Sequence, residues 1–262
     1  MKRKSDIHAQ LKRITKTPKE IALLKKSARI TDSCMPVLAR ELKRTNVTEK
    51  QIAAAIDRNI RRRCAKLAFP TIVACGKRST AVHSKPTRKA VRGLGYADFG
   101  AMWKGYRTDI TVPFVKGEIS AKEKRILETT LQAYAALTKL PKRGMLCCKM
   151  QDRFDAFLRK RGYATMHSLG HGIGLNIHEL PSLTKLRRSR LRKMGPRKKK
   201  RALRRWHIVK QLRFEPGQVF TIEPGVYVRG VGGCRYENDF ILTKRGLKQI
   251  THSKPIILKR AQ

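Results

Sequence analysis

The chain has 262 residues, 40% apolar and 31% charged, which is enough apolar content for the core of one large α/β or α+β domain and too much for compositional disorder. Against 62 Lys and Arg stand only 18 Asp and Glu, a formal charge of +44 that repels itself and is drawn to polyanions such as RNA, DNA, ribosomes or anionic membrane surfaces. No stretch is apolar for the length of a membrane span, Met1–Gln10 lacks the apolar run of a secretory leader, and six cysteines without CxxC spacing read as reduced thiols of a cytoplasmic protein.

Residues 1–15 read as a basic N-terminal segment ahead of a single domain over 16–262. Thr17-Pro-Lys-Glu20 is a capping box with proline at the first helical position, and Ile21, Leu23, Leu24, Ala28, Ile30 and Met35 then recur at helical intervals. Thr48-Glu-Lys-Gln51 repeats the box before Ile52, Ala55, Ile56 and Ile60. Strand-like stretches follow at Thr71–Cys75, Gly93–Phe99 and Arg107–Val115. A third box, Ser120-Ala-Lys-Glu123, opens a helix carrying Ile126, Leu127, Leu131, Ala135 and Leu137, and a fourth helix is expected over Met150–Lys160. Strands return at Gln218–Val228 and Asp239–Thr243. Two helices followed by strands, twice over, predict a duplicated α+β unit with one antiparallel sheet backed by helices on one side.

A basic insertion over about 184–213 interrupts the second half. From Lys185 to Arg205, 13 of 21 residues are basic and none is acidic, with Gly195-Pro196 breaking the run. Its two readings are a solvated surface and a nucleic-acid contact.

The densest chemical signal is His167-Ser-Leu-Gly-His171-Gly-Ile-Gly-Leu-Asn-Ile-His178-Glu, three of the chain's seven histidines among glycines that allow close backbone approach. Carboxylates in similar settings join it. Asp98 and Asp109 flank a stretch containing Gly100 and Gly105, so a strand–turn–strand would bring both side chains back to one place. Glu223 stands before Pro224-Gly225, and Glu237 heads the last strand. With His171 these four acids supply an oxygen-rich cage for two divalent cations (Mn, Co, Fe or Zn), whose charges balance the four carboxylates.

In order and spacing, these segments resemble the motifs of the M24 pita-bread metallopeptidases, the family of methionine aminopeptidase, aminopeptidase P and prolidase. The similarity begins near Lys16 and includes Thr71-Ile-Val-Ala-Cys-Gly-Lys-Arg-Ser-Thr-Ala-Val-His83. It implies the pita-bread fold and a role for each residue. Asp98 would hold one metal, His171 and Glu223 the other, and Asp109 and Glu237 would bridge the two. A hydroxide shared by the metals would attack the scissile carbonyl, with Glu223 as general base and acid. His83 and His178 would orient the substrate and stabilise the tetrahedral intermediate, and His167 would lie near the departing residue. Arg235 would support Asp98 or another ligand.

His167, four residues before His171, and the short interval from Glu223 to Glu237 are similar to the Xaa-Pro branch. The single-domain size is more like methionine aminopeptidase, which removes initiator Met and stays as the alternative. Departures from the family pattern are Val112 in place of an arginine, Pro113 within the strand, and Asn238 after Glu237. The insertion has no counterpart and lies between the His171–His178 and Glu223 motifs, at the active-site mouth. A third reading, a pita-bread RNA- or ribosome-binding protein with little activity, is opposed by the complete set of five ligand positions and three histidines. Peptide is the expected substrate, no membrane is expected as partner, and the oligomeric state is left open, a homodimer included.

Overall fold

A computed structural model describes residues 7–186 and 191–258. Arg187, Arg188 and Arg190 of the basic run, and residues 1–6 of the N-terminal segment, lie outside the described residues.

The capping boxes start helices where expected. After a short helix α1 (Ile7–Lys12), Thr17 caps α2 (Pro18–Asp32), its hydroxyl accepting from the Glu20 N–H while the Glu20 carboxylate accepts from the Thr17 N–H. The helix expected to run through Met35 stops at Asp32, and α3 (Met35–Lys43) takes over. The cause is Pro36, which has no N–H to donate and whose ring clashes with the carbonyl four residues back, that of Asp32. Thr48 caps α4 (Glu49–Arg62).

The strands of the first half follow as β1 (Lys66–Leu67), β2 (Ile72–Cys75), β3 (Gly93–Phe99), β4 (Ala101–Trp103), β5 (Tyr106–Arg107) and β6 (Ile110–Lys116). Ser120 caps α5 (Ala121–Leu137), and α6 spans Lys149–Arg159. Two strands were not anticipated here, β7 (Gly170–Gly172) and β8 (Glu179–Leu183), the first carrying His171. The basic insertion contains helix α7 (Pro196–Val209) and returns to the core at the buried Phe214. The chain ends in β9 (Val219–Ile222), β10 (Gly225–Val228), β11 (Gly232–Arg235), β12 (Asn238–Thr243), β13 (Gly246–Gln249) and β14 (Ile256–Leu258).

The expected single antiparallel sheet is two main sheets. One has the order β14-β6-β3-β2 and the other β13-β12-β9-β7-β8; β14 pairs parallel with β6, the remaining ladders antiparallel. The stretch expected as one strand over Gln218–Val228 divides at Glu223-Pro224, because proline cannot donate to a ladder, and β10 leaves to pair with β11. A bridge between Thr111 and Glu237 joins the main sheets. Each half has its own core, one around Leu38, Ile56, Phe99 and Val112, the other around Phe154, Phe214, Phe220 and Phe240. The seam between the cores is polar.

The segment before Lys16 is fastened to the second of these sheets. Arg13 Nη2 and Lys16 Nζ each lie 2.7 Å from the buried Glu179 carboxylate, and Thr15 forms a bridge with Gln218.

Candidate metal centre

Five elements bring acids and imidazole to the seam. Asp98, on β3, faces Thr111 on β6 across the ladder. Between them, Trp103 pairs with Tyr106 around Lys104 and Gly105, both at positive φ (47° and 88°), the tight reversal that returns Asp109 beside Asp98. Glu237 comes from the other half and exchanges backbone hydrogen bonds with Thr111. Glu223 stands where β9 ends, its backbone N–H on the Leu169 carbonyl. His171 sits at the β7–β8 bulge. A Cβ on Gly170 or Gly172 would collide with the backbone of Thr221 or of Leu180, so only glycines allow strands to close in on both sides of His171.

Three of the five expected ligands form one group, Glu223 lies against its histidine, and the Asp98 charge acts on Asp109 and Glu237. One donor atom each from Asp109, His171 and Glu237 lies within 4.8 Å of the other two, and all three residues are buried. His171 Nε2 is 3.8 Å from Asp109 Oδ2 and 3.6 Å from Glu223 Oε1. Its Nδ1 lies 3.2 Å from the Gly172 carbonyl, which can only accept, so Nδ1 carries the proton and the Nε2 lone pair is left on the side of the acids, available to a cation. Burial, then the neighbouring His178, drives its pKa down to about 3, so the ring is neutral.

Arg235 braces the group as expected. Its Nη2 donates to Asp98 Oδ2, its Nε to Thr111 Oγ1 at 3.0 Å and its Nη1 to the Tyr227 hydroxyl at 2.7 Å. The Thr111 hydroxyl in turn donates a hydrogen bond to Glu237 Oε2 at 2.7 Å, and Asp239 Oδ2 accepts from the Asp109 N–H at 3.0 Å. Among the described residues, Asp98 Oδ1, Asp109 Oδ1, Glu237 Oε1 and Asp239 Oδ1 are nevertheless buried without a hydrogen-bond partner. Burial raises the pKa of Asp109 and Glu223 well above the carboxylate range, that of Glu237 to about 7, and in each case a neighbouring carboxylate raises it further. Buried acids with free oxygens and a neutral imidazole between them are a donor set that fits divalent cations, the charges that would relieve both burial and repulsion.

The other three histidines differ from one another. The His178 ring lies edge-on to His171, centroids 4.3 Å apart, and reaches solvent; burial first and then His83 hold its pKa down. His83 is exposed, beyond the turn Gly76–Thr80 on the same side as His178. His167 is more enclosed. Its Nδ1 meets the Ser168 carbonyl at 2.8 Å and lies 3.5 Å from Glu223 Oε2, while its Nε2 is 3.0 Å from the Tyr227 hydroxyl.

Tyr227 and Asp239 were not anticipated as site residues. Asp239 lies two residues beyond Glu237, the strand period that puts both on one face, and that spacing was the available signal. Tyr227 had none, because it depends on Arg235 arriving from a different strand.

The sequence profile of Metallopeptidase family M24 matches residues 22–244. The chain belongs to Metallopeptidase family M24. It is 31% identical over 251 residues to the Xaa-Pro dipeptidase of Pyrococcus furiosus, covering 94% of this chain and 65% of that protein. A solved Xaa-Pro dipeptidase from Bacillus anthracis superposes with a TM-score of 0.82 at 31% identity, covering 97% of this chain and 67% of that one. An X-Pro aminopeptidase from Thermotoga maritima does so with a TM-score of 0.81 at 30% identity, covering 97% and 67%. The fold is thus the pita-bread fold. The chain spans 61–65% of the length of the curated relatives it matches.

Proposed function

We propose that this chain is a metal-dependent exopeptidase that hydrolyses N-terminal Xaa-Pro peptide bonds. The observation that carries the reading is the group of Asp109, His171 and Glu237, with Glu223 against His171 and buried oxygens of Asp98, Asp109 and Glu237 left without hydrogen-bond partners. These five residues would hold two divalent cations of the Mn, Co, Fe or Zn kind, Asp109 and Glu237 serving both. When bound, the ions supply Lewis acidity, polarising a carbonyl and making water acidic near neutral pH. The chain's own groups do the rest. Glu223, set between His171 and His167, takes a proton from water on one carboxylate oxygen and returns it to the departing amine. His178 and His83, on the solvent side, orient the substrate and donate to the carbonyl oxygen as it gains charge. His167, held by Tyr227 and Ser168, presents a fixed edge to the departing residue.

The Xaa-Pro preference draws on the names of the relatives above and on His167 four residues before His171. Residues 16–262 form the catalytic domain in this reading, 1–15 a basic lead-in and about 184–213 an insertion. The free cysteines support a reducing, cytoplasmic setting, and no helix among the described residues is long and apolar enough to cross a membrane. The charge of +44 supports a polyanionic partner such as RNA or the ribosome.

A peptide panel with Mn²⁺ or Co²⁺ tests the specificity. Ala-Pro or Ala-Pro-Xaa should be cleaved faster than Met-Ala-Ser; a clear preference for N-terminal methionine would overturn the Xaa-Pro assignment.

A further inference from the structure

Between α7 and the β7–β8 edge lies a cleft of about 980 Å³. One wall is Met166, His167 and Ser168, so the cleft adjoins the metal centre. The other wall presents Lys193, Arg197, Lys198, Arg201, Arg205 and Trp206. Arg197, Arg201 and Arg205 recur every four residues, about 6 Å apart along the helix axis. That step is comparable with the phosphate spacing of an extended single strand.

Two features mark this wall as made for an anion. Five of the first six residues of α7, Pro196–Arg201, are cations and its first turn holds no acid, the reverse of what the helix dipole favours. Among the described residues no carboxylate pairs with any basic side chain of α7, and the sequence contains no acid from Leu180 to Phe214. An arginine stripe with an aromatic beside it, on a molecule carrying +44, is the combination that binds single strands, cations tracking phosphates and a ring offering its face to a base. A short acidic peptide would use the charge near the cleft but neither the tryptophan nor the positive surface beyond.

We propose that this cleft binds the phosphodiester backbone of single-stranded nucleic acid, with Arg197, Arg201 and Arg205 on successive phosphates and Trp206 under a base. This specifies the polyanionic partner suggested above and is independent of the peptidase assignment.

The test is fluorescence anisotropy of the full chain with a labelled oligonucleotide of about ten nucleotides, as RNA and as DNA, against salt. The triple variant Arg197→Gln/Arg201→Gln/Arg205→Gln is compared with Arg58→Gln/Arg61→Gln/Arg62→Gln, which removes the same charge from exposed positions on α4. The cleft variant should bind at least about tenfold more weakly at 100 mM salt, and its log–log salt slope should be shallower by about 2, since each phosphate contact on a single strand contributes about 0.7. The α4 variant should bind nearly as the parent does. The RNA and DNA arms identify which strand is preferred; binding of neither overturns the proposal. Equal weakening by both triples would assign binding to diffuse charge and overturn it. So would a poly-glutamate peptide that binds as tightly as the oligonucleotide and is lost with the cleft arginines. Circular dichroism checks that each variant folds, and the binding signal does not depend on catalysis.

Discussion

One guanidinium organises the seam. Arg235 spends its donors on Asp98, Thr111 and Tyr227, and through the last two reaches Glu237 and His167. Lysine could not replace that planar fork. Tyr227→Phe removes the hydroxyl that accepts from Arg235 and donates to His167. It should destabilise the protein by about 1–3 kcal/mol, the cost of a buried donor left unpaired, measured by urea unfolding. A change within error would mean the network carries no stability. The acids behave oppositely. Because burial and then neighbouring carboxylates penalise ionised Asp109, Asp109→Asn should leave the metal-free protein as stable as the parent or more so. The same change should abolish the stabilisation that metal gives the parent, about 2.7 kcal/mol at a metal concentration 100 times Kd. Thermal scans with and without Mn²⁺ check both; a variant destabilised without metal yet still stabilised by it would contradict the site.

At the scale of elements, the fastening of the N-terminal segment to the loop before β8 rests on Glu179. Its carboxylate accepts from Lys16 at 2.7 Å, Arg13 at 2.7 Å and the Asn176 N–H at 2.9 Å. Burial alone would raise its pKa, but Lys16 and these bonds outweigh it and lower it below the ordinary value. A carboxyl depressed in the folded state contributes stability above its unfolded pKa of about 4.3 and loses it as pH falls through the folded value. Glu179→Gln should therefore cost about 3 kcal/mol near neutral pH, where it leaves the Lys16 ammonium buried without its counter-charge. The gap to the parent should close below about pH 4. A gap independent of pH would show that packing, and not charge, is what Glu179 supplies. Helix starts were legible because capping boxes are local; the end of α2 was equally local, written in Pro36, yet a continuing apolar periodicity masked it. The strands β7 and β8 were hidden because the glycines of β7 and the glutamate and proline of β8 have low strand propensity, and close packing of neighbouring backbones makes them strands. Helix α7 was hidden by charge, since its basic residues obscure an amphipathic pattern.

At the scale of the whole molecule, the grouping of Asp109, His171 and Glu237 was legible because turn glycines and proline flank the motifs that carry the proposed ligands, whereas the division into two sheets was not. That division depends on a bridge between Thr111 and Glu237, which are far apart in sequence. The net charge of +44 opposes compactness, so raising salt from about 20 to 300 mM should raise the melting temperature by screening repulsion. A fall would mean that favourable pairs such as Lys16–Glu179 outweigh the excess. The central claim is that the seam is a metal-dependent peptidase centre, and hydrolysis of Ala-Pro by metal-stripped protein titrated with Mn²⁺ tests it most directly. Turnover should be absent without metal, rise to saturation as metal is added, and stay absent in Asp109→Asn at every metal concentration. Metal-independent turnover, or full activity in Asp109→Asn, would contradict it.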